Sequence, residues 1–369
     1  MNQLFRWNQT GLFLLALAAG ILPFAVPEVC AAALREGLTL CSGPLLLSLF
    51  PFLVVSRLLI QCPESDLLAL PFRLAAWGIG IHTPCAARVL CIGFLGGFAP
   101  AASAAAQAVR TGQLTAEEAD ALLPACICSG PSFVVLTVGQ SLLGSAELGV
   151  LLFASQITAN YLTAALLNRF AGVRSVKPGS AAPASPAPPR LDEILADAAI
   201  TYCKLCGFIL FFRMLAAGAG ALLPAGAGTL CAILLEVCSG CDLASRTGRW
   251  GSLLCCAALS VQGLSVLLQV RTICPPEMTL RPLYRARMLH LPLSLALFYL
   301  LLPGGEADVF STLSARVLLM RRVPPDCALL VFAVCCMAAC TLRSGIRQVE
   351  QKQMARNAGG CCINSKTLL

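Results

Sequence analysis

The chain has 369 residues, 58% of them hydrophobic and only 12% charged, and its mean hydropathy is +0.81. That apolar content exceeds what a soluble core of this length can bury, so the excess must face lipid and a soluble domain is excluded. The net charge of +8 does not indicate nucleic acid, because Lys and Arg are scattered at the ends of apolar runs, as positive-inside topology demands.

In hydrocarbon every backbone donor and acceptor needs a partner within the chain, which leaves helices or a closed barrel. The apolar runs lack a barrel's period-two alternation, so the expected fold is all-α: a polytopic transmembrane bundle. The 21 cysteines sit mostly inside apolar runs, as at Cys255-Cys256 and Cys335-Cys336, and read as reduced, inert small hydrophobes.

Apolar segments are predicted at 11–26, 43–60, 67–81, 89–109, 121–143, 148–167, 200–223, 229–237, 250–270, 288–302 and 327–342. Arg6 before the first segment and Cys30 to Ala33 after it also fit a signal peptide, but further membrane-type segments follow at once, so a retained first helix is expected. Several segments fall short of the ~20 residues that span a bilayer. Residues 91–106 carry Gly93, Gly96, Gly97 and Pro100 and read as a broken or re-entrant helix, a form that survives at membrane depth only where protein or water covers it. Thr115 and Glu118 form a capping box that opens the next helix after a surface turn at 110–114. Within that helix Ser129, Gly130, Pro131 and Ser132 predict a second break, whose free N–H groups could hold an anion or polar solute; a simple proline kink is the alternative.

Residues 172–190 form a Pro/Ala/Ser linker that divides the chain into membrane halves, 1–171 and 191–342, ahead of a basic tail, 343–369. Arg169, Arg174, Lys177 and Arg190 around the linker, and Arg343, Arg347, Lys352 and Arg356 in the tail, place both in the cytoplasm. Arg271, Arg281, Arg285 and Arg287 lean the same way. The halves share a layout of helix, small-residue break and polar-flecked segment, which suggests two related repeats.

In the second half Glu236 lies among Leu234, Leu235 and Val237, with Ser239 and Gly240 just beyond. A carboxylate at bilayer depth costs roughly 2.5 to 3.5 kcal/mol on insertion scales, so Glu236 should meet water or donors; an interfacial position is the alternative. Asp242 has an ordinary i,i+4 partner in Arg246. Gln262 and Gln269, seven residues apart, are expected on one helix face, lining a solute path or serving as interhelical glue. Gln140, Gln156 and Asn160 have the same two readings. Cys203/Cys206 and Cys238/Cys241 have Cys-x-x-Cys spacing but lie in membrane-type segments, and His82 and His290 are the only histidines. No metal, cofactor or catalytic set is expected.

The strings LSLFPFLVVSRLL (47–59), GFLGGFAPAASAAAQAVRTGQLTAEEADALL (93–123), CSGPSFVVLTVG (128–139), LLEVCSG (234–240) and GLSVLLQV (263–270), in that order, resemble the YlbJ-type sporulation integral membrane proteins. That group is similar to the wider set carrying the nucleoside-recognition, or Gate, domain. The family's usual Ser-Gly-Tyr-Pro turn is Gly96-Gly97-Phe98-Ala99 here, its paired asparagines are Ile127 and Cys128, and its glutamine is matched by Gln269. The resemblance implies a multi-pass protein of a bacterial cytoplasmic membrane, linked to sporulation, with transporter-like repeats. The expected function is a permease or gated pore for a small polar solute such as a nucleoside, either alone or as a homo-oligomer. A non-transporting scaffold for a sporulation complex is the alternative, and neither reading is enzymatic.

Overall fold

The computed structural model describes residues 9–62, 65–171 and 191–302. The linker, the 327–342 segment and the basic tail lie outside the described residues. Within them the fold is all-α, and four helical stretches are long and apolar enough to cross a membrane: Pro27–Gln61, Ala146–Ala171, Leu191–Leu222 and Gly248–Ile273.

The first half opens with α1 (Gln9–Ala25), α2 (Pro27–Ser42) and α3 (Pro44–Gln61). Proline begins both α2 and α3, where its missing N–H costs no helical hydrogen bond. Helix α2 falls between predicted segments because Glu28, Arg35 and Glu36 interrupt its apolar run. Two short helices, α4 (Ser65–Leu68) and α5 (Leu70–Gly78), lead to α6 (Pro84–Gly96) and α7 (Phe98–Arg110). Helix α8 (Ala116–Cys126) opens on the expected capping box: the Glu118 N–H donates to Thr115 Oγ1 at 3.1 Å, and the Thr115 N–H donates to the Glu118 carboxylate at 3.1 Å. The predicted segment 121–143 is two pieces, α8 and a π-helix (Ser132–Leu142), and α9 (Ala146–Ala171) packs along the latter.

The second half repeats the use of long and short pieces. Helix α10 (Leu191–Leu222) is followed by α11 (Ala225–Leu235), α12 (Val237–Ser245), α13 (Gly251–Val261), α14 (Gly263–Ile273) and α15 (Arg281–Leu301). Helix α15 packs on α8, α9 and α13 and so joins the halves. The largest cluster of buried apolar side chains, including Leu122, Leu152, Leu259 and Phe298, surrounds this junction. Exposed leucines and aromatics such as Phe24, Leu47, Leu74, Phe170 and Tyr299 cover the outside, as a lipid-facing surface requires.

Candidate functional site at four chain breaks

Four interruptions of helix meet inside the bundle. The first is Gly97 between α6 and α7, with φ +80°, a backbone conformation that favours glycine. A side-chain carbon added there would lie 2.7 Å from Gly130 N and 3.2 Å from Cys128 O, so this break is pressed against the second, the stretch between α8 and the π-helix. The third is Glu236, extended between α11 and α12. The fourth is Gln262-Gly263, both left-handed, between α13 and α14. A carbon added at Gly263 would lie 2.9 Å from Glu236 N and from Leu235 O, so the third and fourth breaks are also in direct backbone contact.

One side chain links these pairs. Gln262 Nε2 donates to the Ile127 carbonyl at 3.3 Å, across from the fourth break to the second. That carbonyl ends α8, where unsatisfied oxygens carry the negative end of the helix dipole. It also accepts from Arg287 at 2.9 Å and from Asn160 Nδ2 at 3.2 Å. Arg287 donates further to Asn160 Oδ1 at 3.1 Å and weakly to the Ser260 carbonyl at 3.4 Å. Its side chain is buried, and among the described residues no carboxylate faces it, so helix-end and amide oxygens compensate its charge.

Glu236 is the counterpart of opposite sign. It is 2% exposed and caps α12, accepting from the Cys238 N–H at 2.8 Å and the Ser239 N–H at 2.7 Å. The positive end of the α12 dipole therefore holds the carboxylate. The donors to Glu236 thus come from its own helix, because the extended backbone of residue 236 aims its side chain back at the next N–H groups.

The remaining predicted residues divide. Ser129 is buried beside the first break, whereas Ser132 is exposed. Gly130 and Pro131 form the turn into the π-helix, and the Gly130 carbonyl accepts its first N–H groups. Gly96 and Pro100 flank the Gly97 break. Ser239 is buried with no hydrogen-bond partner on Oγ. Gly240 serves packing: a side-chain carbon there would lie 2.8 Å from the Ile233 Cα. Gln262 and Gln269 do not share one continuous helix, since the chain turns left-handed at Gln262. Both are nonetheless buried, and both carry an Oε1 without a partner. Gln156 and Asn160 join the interior polar network; Gln156 Nε2 donates to Ser260 Oγ at 2.9 Å, while Gln140 is exposed. Asp242 and Arg246 pair at 2.7 Å as expected.

Residue patterns also hid two features. Arg287 was grouped with the cytoplasmic arginines, yet Leu283, Arg287, His290 and Ser294 make one buried helical stripe at spacings of four, three and four. Arg57, inside the apolar run of α3, is buried and bonded to Ser103 Oγ at 3.2 Å, Asp197 at 2.6 Å and Thr201 Oγ1 at 3.3 Å. It lines a polar cleft of about 150 Å³ between α3, α7, α10 and α14, which also receives Arg110, Lys204 and Gln269.

An all-α bundle with four apolar helices of membrane-spanning length defines a class, the helical membrane proteins. Nothing narrower comes from likeness: no protein family, no curated protein and no solved structure matches the chain.

Proposed function

We propose that the protein is a permease or gated pore for a small polar solute, with its path between the break at Ser129 to Ser132 and the one at Glu236 to Asp242. The observation that carries this reading is the meeting of four breaks, two pressed together in each half and joined by Gln262 to Ile127. Broken helices with free ends and buried charges at one depth are the usual construction of a transporter site. The link to sporulation, the bacterial cytoplasmic membrane and a nucleoside as solute rest on the resemblance in motif order.

The same reading makes the halves inverted repeats. Helices α6 and α7, of 13 residues each, are about 20 Å long, too short to cross a ~30 Å hydrocarbon layer but long enough to reach its middle. Gly93 packs near Ala101 across the Gly97 tip, and Arg88 at the start of α6 bonds Gln113 just beyond α7 at 3.0 Å, so the pair enters and leaves at one face. Helices α11 and α12 do likewise about Glu236, with Gly240 against Ile233. Their outer ends lie by the end of α10, where Gly228 approaches Gly220 and Leu243 faces it. Helix α10 begins at the linker, so the second hairpin enters from the opposite face.

Flux of labelled nucleosides into proteoliposomes tests the function. Wild-type protein should transport, and Glu236→Gln and Arg287→Met should each lose flux at normal membrane abundance. One observation favours the scaffold reading: the polar groups at the breaks are largely taken up by one another, and the cleft described lies beside Arg57 instead. Absence of flux for every nucleoside and small polar solute offered would decide for the scaffold.

A further inference from the structure

We propose that the cleft beside Arg57 binds a phosphate group, carried by a phosphate monoester solute or by a lipid headgroup. Three cations, Arg57, Arg110 and Lys204, converge on the cleft against one carboxylate, Asp197. The balance is two positive charges, which a phosphate monoester dianion matches in full and the single charge of a phosphodiester headgroup matches in part. The cleft is built into the bundle, because Arg57 is 7% exposed and is fixed by side chains from α7 and α10. That fixed guanidinium keeps hydrogens to spare, since each of its nitrogens has one partner, and its planar fork suits phosphate oxygens. Arg110 and Lys204 are exposed at the rim and have no carboxylate partner among the described residues.

Gln269 is the second, independent sign of a ligand. It lines the cleft, is 2% exposed, and satisfies only one end of its amide, through Ser265 at 2.8 Å. Whichever way the amide is turned, one polar atom stays unmet in a buried position, an unfavourable state that a bound group would relieve. Cations around the cleft supply attraction, and Gln269 supplies a neutral contact able to orient a hydroxyl or a phosphate oxygen. This inference stands apart from transport, because a scaffold could hold the same ligand.

The test uses full-length protein in maltoside micelles, which contain no phosphate, and in nanodiscs containing phosphatidylglycerol. Inorganic phosphate and glycerol 3-phosphate are titrated by calorimetry at constant ionic strength, with chloride as the control. Lipid retention is read by native mass spectrometry. The double variant Arg110→Gln, Lys204→Gln changes only exposed side chains, and its thermal unfolding checks that it folds. Saturable binding of either phosphate compound, weakened tenfold or more in the double variant, supports a solute site. Phosphatidylglycerol retained by the wild type and lost from the double variant, without soluble phosphate binding, supports a headgroup site. If neither phosphate nor lipid binding depends on Arg110 and Lys204, the inference is overturned.

Discussion

At Glu236 one carboxylate satisfies two backbone donors that would otherwise be orphaned in a buried place. Each unmet N–H costs about 1–3 kcal/mol, and a lost helix cap about 1 kcal/mol. Glu236→Ala should therefore destabilise by about 2 kcal/mol or more, while Glu236→Gln keeps one acceptor oxygen and should fall between it and the wild type. Thermal unfolding in detergent measures the order; an alanine variant as stable as the wild type would show that the cap does not hold α12. The cost of a carboxylate among leucines was legible in the sequence. Its partner was not, because the partner is set by the backbone angles of residue 236 and no side-chain pattern encodes them. Arg287 shows the opposite failure, since its stripe with His290 and Ser294 was readable but the neighbouring exposed Arg285 disguised it as surface charge.

Among the elements, the breaks divide by the chemistry that makes them. Those at Gly97 and at Ser129 to Pro131 announce themselves by glycine and proline, which relax or forbid helical backbone. The break at Gln262 has no such signal ahead of it; a glutamine takes φ +62°, and only the following glycine hints at it. Contact between breaks gives a sharp contrast in glycine replacements. Gly263→Ala places a carbon 2.9 Å from backbone atoms at φ +69°, and should cost about 1–3 kcal/mol. Gly207, inside α10, has nothing within 4 Å of an added carbon, so Gly207→Ala should leave stability unchanged or raise it by up to about 1 kcal/mol. Equal effects of the two substitutions on thermal unfolding would remove the argument that the breaks are in contact. The same logic makes Gly97→Ala resemble Gly263→Ala, since its added carbon meets Gly130 N.

For the whole molecule, hydropathy located most of the described helices but missed α2 and α12 and joined α13 to α14, because lipid acts on segments of about 20 residues and only those leave a strong local signal. It could not locate the cleft, where Arg57 and Asp197 meet from 140 residues apart, nor the contact of Gln262 with Ile127 from 135 apart. Such pairs come from the packing of halves, and only charge at the ends of helices bears on how those halves face the membrane. That charge makes a testable topology. The linker and tail carry clustered Lys and Arg, so reporters fused after Lys177 and after Arg356 should both report the cytoplasm. The turn at Gly112 leaves α7 at the face where Arg88 binds Gln113 and Arg57 and Arg110 share the cleft with the first turns of α10, so a reporter inserted there should agree with the linker. The turn at Thr247 follows α12, whose hairpin lies by the far end of α10, and a reporter there should report the opposite compartment. Agreement between Gly112 and Thr247 would mean that both hairpins enter from one face. The proposed inverted arrangement would then be lost, and the transport reading would rest on the contact between the breaks alone.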